Sequence, residues 1–121
     1  MSNYKEERPW GAFEVIYEDR FTKVKKIFVV PEGKLSLQSH EKRSEVWTII
    51  YGGGEMTVGD NVNEELRYWE VKKGDVVEIP VGQKHRIENT TKEPLVFIEV
   101  QWGESFEEDD ITRYEDKYNR A

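Results

Sequence analysis

The chain contains no cysteine, and that one absence removes disulfides, thiolate-bound zinc and a cysteine nucleophile together. Any metal has to be held by imidazole, carboxylate or amide oxygen. Long apolar runs are missing as well. Nothing approaches the roughly 20 consecutive apolar residues needed to cross a bilayer, and the opening Met1-Ser2-Asn3-Tyr4-Lys5-Glu6-Glu7 lacks the apolar stretch of a secretory signal. A cytoplasmic location is the expectation. Positive charge is outnumbered, 18 Lys and Arg against 25 Asp and Glu, for a net charge of -7. Phosphate backbones and anionic bilayers are repelled at that balance, so neither nucleic acid nor a membrane surface is an expected partner.

What is present is enough for one core. A length of 121 residues, 36% apolar and 12% aromatic with four Trp, suits one compact domain spanning 1–121, with a core barrel over about 12–101 and an acidic tail over 102–121. Helical periodicity is absent from Ala12 to Gln101. In its place stand short alternating or β-branched runs: 13–17, 24–30, 34–38, 45–51, 55–58, 66–71, 75–79, 85–89 and 95–101. Between them lie Pro31-Glu32-Gly33, Gly52-Gly53-Gly54, Gly59-Asp60-Asn61, Lys72-Lys73-Gly74 and Pro80-Val81-Gly82, the residues that tight turns demand. An all-β sandwich or barrel follows. Past Gln101, Glu107-Glu108-Asp109-Asp110 before Ile111-Thr112-Arg113-Tyr114 reads as the start of a short helix, since carboxylates favour a helix N-terminus, or as a solvated acidic tail.

Two segments carry chemistry, and each delivers one of the only two histidines. In Gly33-Lys34-Leu35-Ser36-Leu37-Gln38-Ser39-His40, side chains two apart on an extended strand share a face, so Gln38 and His40 can aim at one point. In Gly74-Asp75-Val76-Val77-Glu78-Ile79-Pro80-Val81-Gly82-Gln83-Lys84-His85, a strand starting straight after a turn supplies the second. Glu45 shares its parity with Trp47, Ile49 and Tyr51, a face that should be interior. An inward carboxylate needs a partner, and a metal would supply one. Gln38, His40, Glu45 and His85 would suit one divalent cation, zinc first, with cobalt, manganese, nickel or iron also compatible. Asn89, on the face of His85 and Ile87, is expected to tie down backbone.

The two segments resemble the paired signatures of the cupin superfamily, the second matching from Gly74 through Pro80, Gly82 and His85 to Asn89. More narrowly, Arg8-Pro9-Trp10-Gly11, Leu35-Ser36-Leu37-Gln38, His40, Arg43, Glu45, Trp47, His85-Arg86, Glu88-Asn89, Glu99-Val100-Gln101 and Glu108-Asp109-Asp110-Ile111 look like the type II mannose-6-phosphate isomerase domain. The resemblance implies a double-stranded β-helix, or jelly-roll barrel. It also implies a divalent metal and interconversion of mannose 6-phosphate and fructose 6-phosphate in the supply of mannose for polysaccharides. It implies an active-site role for Arg43, as catalytic residue and phosphate anchor. Arg86 is a further substrate-binding candidate, although strand alternation points it away from His85. Where the family reads Glu-His-Trp, this chain has Glu45-Val46-Trp47.

Two other readings stay open: a metal-containing cupin that binds a sugar phosphate or nucleotide sugar without turnover, and another cupin activity such as keto-sugar isomerisation or oxygenation. A homodimer is expected, with the segment from Arg8 to Phe13 and the aromatics Trp10, Trp69 and Trp102 covering a sheet edge or outer face.

Overall fold

The computed structural model of the chain describes residues 4–59 and 65–118. It holds eleven strands in those residues: β1 Tyr4–Arg8, β2 Gly11–Glu18, β3 Thr22–Val29, β4 Leu37–Ser39, β5 Arg43–Tyr51, β6 Gly53–Gly59, β7 Leu66–Lys72, β8 Val76–Ile79, β9 His85–Glu88, β10 Leu95–Gly103 and β11 Thr112–Glu115. They form two antiparallel sheets, ordered β1-β2-β3-β10-β5-β8 and β11-β4-β9-β6-β7. This is the cupin double-stranded β-helix. Among the described residues no helix is long and apolar enough to cross a membrane.

Nine of the strands answer the nine alternating runs. The run 34–38 is displaced: β4 starts at Leu37, and Lys34 contributes only an isolated bridge to Glu88. The turn at Gly59-Asp60-Asn61 falls largely on Asp60 and Asn61, which lie outside the described residues. At Gly52 the chain turns with φ of 78°, a left-handed conformation that favours glycine. A Cβ at Gly54 would collide with the Glu88 carbonyl of the adjoining strand.

The expected short helix near the C-terminus does not form. Thr112–Glu115 is instead a strand that closes the open edge of β4, with Thr112 opposite Ser39 and Arg113 opposite Gln38. The carboxylates that were to start a helix have other work. Glu108 takes hydrogen bonds from Lys23 and Lys25, and Asp110 accepts from the backbone N–H groups of Glu41 and Lys42. Nor is the tail simply solvated, since Ser39 and Tyr114 join their hydroxyls at 2.8 Å. At the other end, β1 pairs with β2 within the chain, and Trp10 is part of the core, whereas Trp69 and Trp102 stay exposed.

Cross-strand register sorts the interior of the first sheet into rows. Val29 faces Leu95; next come Phe13, Ile27, Phe97 and Ile49; then Val15, Lys25, Glu99, Trp47 and Val77; last Lys23, Gln101, Glu45 and Ile79. Glu45, Trp47 and Ile49 point inward as their alternation requires. Tyr51 does not: an extra residue in β5 opposite Val96 and Phe97 breaks the register, so Ile50 and Tyr51 both reach solvent.

Candidate metal centre

Three strands and one loop bring the donors together. In the second sheet Gln38, His85 and Val58 lie directly opposite one another on β4, β9 and β6, which presents Gln38 and His85 to the interior. His40 follows β4 by one residue. From the facing sheet comes Glu45, one row beyond Trp47. His40, Glu45 and His85 form a buried cluster whose candidate ligand atoms lie within 4.8 Å of one another. His40 Nε2 is 3.4 Å and His85 Nε2 3.9 Å from the Glu45 carboxylate. Their rings are 5.2 Å apart, centre to centre.

The hydrogen bonds fix which nitrogen of each ring is offered. His40 Nδ1 lies 2.7 Å from the Asp110 carbonyl and His85 Nδ1 2.9 Å from the Gln83 carbonyl. A carbonyl only accepts, so both Nδ1 atoms carry protons and both Nε2 atoms present lone pairs inward. This is how metal-binding imidazoles are oriented by their outer partners. His85 Nε2 is buried without a hydrogen-bond partner among the described residues, an orphan that costs free energy unless something coordinates it.

Protonation points the same way. Burial pushes His40 down to about 4 against the pull of Glu45, and burial likewise lowers His85. Burial would raise Glu45, but His85, His40 and Arg43 outweigh it and hold the carboxyl at about 2. Two neutral imidazoles and one ionised carboxylate are the states a divalent cation requires. The residues fit such an ion.

Around the cluster lies a cavity of about 80 Å³ lined by, among others, Gln38, Arg43, Lys25, Glu99, Glu108 and Arg113. Gln38 donates through Nε2 to the Ser36 carbonyl at 3.3 Å. Arg43 donates through Nε to Glu45 Oε2 at 2.8 Å, through Nη2 to His40 Nε2 at 3.3 Å and through Nη1 to the Glu107 carbonyl at 3.4 Å. Trp47 Nε1 donates to the other Glu45 oxygen at 2.8 Å. Arg86 does not line the cavity; alternation turns it to the outer face, where it pairs with Glu115 at 2.8 Å. Val46 also faces outward, beside Ser44 and Trp102. Asn89 is fully buried and donates to the carbonyls of Val29 and Glu93, so it ties down backbone as its position suggests.

Sequence reasoning passed over buried charges in and beside the cavity: Glu99 and Lys25 line it, whereas Lys23 lines an adjoining hollow with Phe106 and Glu108. Glu99 is fully desolvated, and burial together with the Glu45 charge pushes its carboxyl up to about 7, despite Lys25 and Arg43. Lys23 and Lys25 are also buried. The signal was alternation: Glu99 and Gln101 share the parity of Phe97, and Lys23 and Lys25 that of Ile27.

Comparison with known proteins supplies the context. Residues 2–116 match the family described as mannose-6-phosphate isomerase C-terminal. The chain is 42% identical over 114 residues to the xanthan biosynthesis protein XanB of Xanthomonas campestris pv. campestris, covering 94% of this chain and 23% of that protein. It is 38% identical over 114 residues to the mannose-1-phosphate guanylyltransferase ManC of Salmonella typhimurium, covering 94% and 22%. It thus spans about a quarter of the length of these curated relatives. Among solved structures, the capsular polysaccharide assembling protein CapF of Staphylococcus aureus superposes with a TM-score of 0.81 at 24% identity, over 96% of this chain and 33% of that one, a likeness of fold.

Proposed function

Because the chain belongs to the mannose-6-phosphate isomerase C-terminal family, we propose that it is a metal-dependent aldose-ketose isomerase. It interconverts mannose 6-phosphate and fructose 6-phosphate to feed polysaccharide precursors. The observation behind this reading is the donor set: two Nε2 atoms and one carboxylate lie within 4.8 Å of one another inside a buried cavity that Glu99 also lines. A divalent ion, zinc first, held by His40, Glu45 and His85 with Gln38 at its side, would supply Lewis acidity to the carbonyl oxygen as negative charge develops there.

The chain's own groups supply the remainder. Isomerisation removes a proton from C2 and returns one to C1 through an enediol, while the O2 hydroxyl proton passes to O1. Glu99 lines the cavity, and burial raises its carboxyl above the ordinary range, which suits it to taking and giving that carbon-bound proton. Arg43 is engaged with Glu45 through Nε and faces the cavity with its Nη groups, from where it can donate to the enediol oxygens. Trp47 and Arg43 each bond one Glu45 oxygen and so fix the carboxylate plane.

Binding without turnover is the second reading, and one observation favours it: the Salmonella relative is named for guanylyl transfer. A coupled assay for fructose 6-phosphate made from mannose 6-phosphate, with zinc, cobalt, manganese or nickel added, separates the two. The expected result is turnover lost in His40→Ala, and kcat lowered at least about a hundredfold in Glu99→Gln with KM little changed. No turnover with any metal, while the sugar phosphate still raises thermal stability, would favour the binding role.

A further inference from the structure

Two lysines occupy the inward face of β3 where a barrel interior is ordinarily apolar. Lys23 and Lys25 are 8% and 5% exposed. Both ammonium groups converge on a single carboxylate. Lys25 Nζ is 2.8 and 2.9 Å from the two Glu108 oxygens, Lys23 Nζ is 3.0 Å from one of them, and Lys23 Nζ also lies 3.4 Å from the Phe106 carbonyl. Lys25 further rests over the Phe13 ring, 4.1 Å from its centre. Its cross-strand neighbour Glu99 accepts from Gln101.

Glu108 is not part of a strand. It belongs to the connection between β10 and β11, and it lines the same cavity as the metal donors. Burial would raise its carboxyl, but Lys25 and Lys23 prevail and hold it ionised, below its ordinary value. A phosphate monoester offers the lysines more than this carboxylate does: about 1.5 to 2 negative charges and three acceptor oxygens at neutral pH. Lysine is suited to it as a compact point charge.

Two spatial facts bear on what the Glu108 connection does. Lys23 shares a row with Glu45 two strands away, which is roughly 10 Å at ordinary strand spacing. The lysines are thus rooted away from the strand that carries Glu45, while the anion they hold, Glu108, lines the same cavity as the metal donors. The cavity, at about 80 Å³, is also well below the roughly 300 Å³ at which small-molecule pockets begin. Glu108 is among the residues that line it, so its withdrawal would enlarge the space a ligand can occupy.

We propose that Lys23 and Lys25 form the subsite for the substrate's phosphate group, and that the Glu108 carboxylate fills it as an internal stand-in which the phosphate displaces. The proposal rests on the isomerase reading only in taking a phosphate ester as ligand. Glu108 thereby keeps two buried cations paired in the empty site and withdraws in exchange for a better anion.

Calorimetric titration of inorganic phosphate into the intact, metal-loaded chain tests this without turnover. Glu108→Gln, which removes the competing charge, should bind phosphate about tenfold more tightly than the parent, because the competent state no longer has to be won from the docked one. Lys25→Met should bind it at least about tenfold more weakly with metal content unchanged, and should raise KM for mannose 6-phosphate. Phosphate affinity that is unmoved or weaker in Glu108→Gln overturns the proposal, and that variant decides alone if Lys25→Met fails to fold. Turnover with a KM indifferent to Lys25→Met would sink the subsite and leave the isomerase standing. Phosphate binding that follows both substitutions in a protein without turnover would do the reverse.

Discussion

The two ends of this barrel are built on the same strands, in the same register, and are equally dry, yet they hold opposite chemistry. Phe97 and Ile49 at one end are 0% and 1% exposed; Gln101 and Glu45, two rows on, are 0% and 1%. At the apolar end each buried side chain contributes directly, on the order of 25 cal/mol per Å² removed from water. At the polar end burial is a cost that pairing only offsets. Arg43 and Trp47 satisfy Glu45, backbone carbonyls satisfy each Nδ1, and Glu108 satisfies two lysines. The difference teaches that stability and chemistry are segregated along single strands, and that β10 changes from one to the other between Phe97 and Glu99.

That division can be broken by experiment. Phe97, stacked on Trp47 at 4.4 Å between centroids, should lose about 3–5 kcal/mol of unfolding free energy on replacement by Ala. Denaturant titration measures it, and a loss below about 1 kcal/mol would mean the apolar end does not carry the fold. At the polar end, the double substitution Arg43→Met with Glu45→Gln removes a buried ion pair while keeping an acceptor for Trp47 Nε1. Its unfolding free energy, measured without metal, should stay within about 1 kcal/mol of the parent, while calorimetry should show zinc binding gone.

The smallest effect sharpens the boundary. The folded Glu108 carboxyl titrates below its ordinary 4.5, so the unfolded chain takes up protons first as pH falls. Its contribution is then full above about pH 4.5 and is lost as pH falls through the folded value. With 40% of that side chain exposed, screening limits the contribution to about 1 kcal/mol or less. The stability gap between parent and Glu108→Gln should therefore narrow below pH 4.5, which thermal melts across the acid range would register.

Much of this could be read from the residues. Alternation placed Glu45 inward with Trp47, and the two histidine segments located the donors, because period-two patterning and turn residues are local properties. The buried lysines were passed over although alternation from Ile27 puts Lys25 and Lys23 on the inward face; register then sets them opposite Glu99 and Gln101, which no local pattern shows. β11 was missed for a related reason. Acidic residues ahead of Ile111 resemble a helix start, and what decided their fate was the open edge of β4 and the cations waiting across the barrel, neither of which is local. Tyr51 went astray through one extra residue in β5, an irregularity that alternation cannot foresee.

One bond described above reaches into the order of synthesis. The tautomer of His40 is set by the backbone carbonyl of Asp110, 70 positions further along. Both histidines and Glu45 precede that residue in the chain, so all three donors are synthesised while one imidazole is still unaimed. The metal centre is finished by a segment that follows every donor in the chain, and because a main-chain oxygen performs the task, the accepting atom is present whatever side chain stands at position 110.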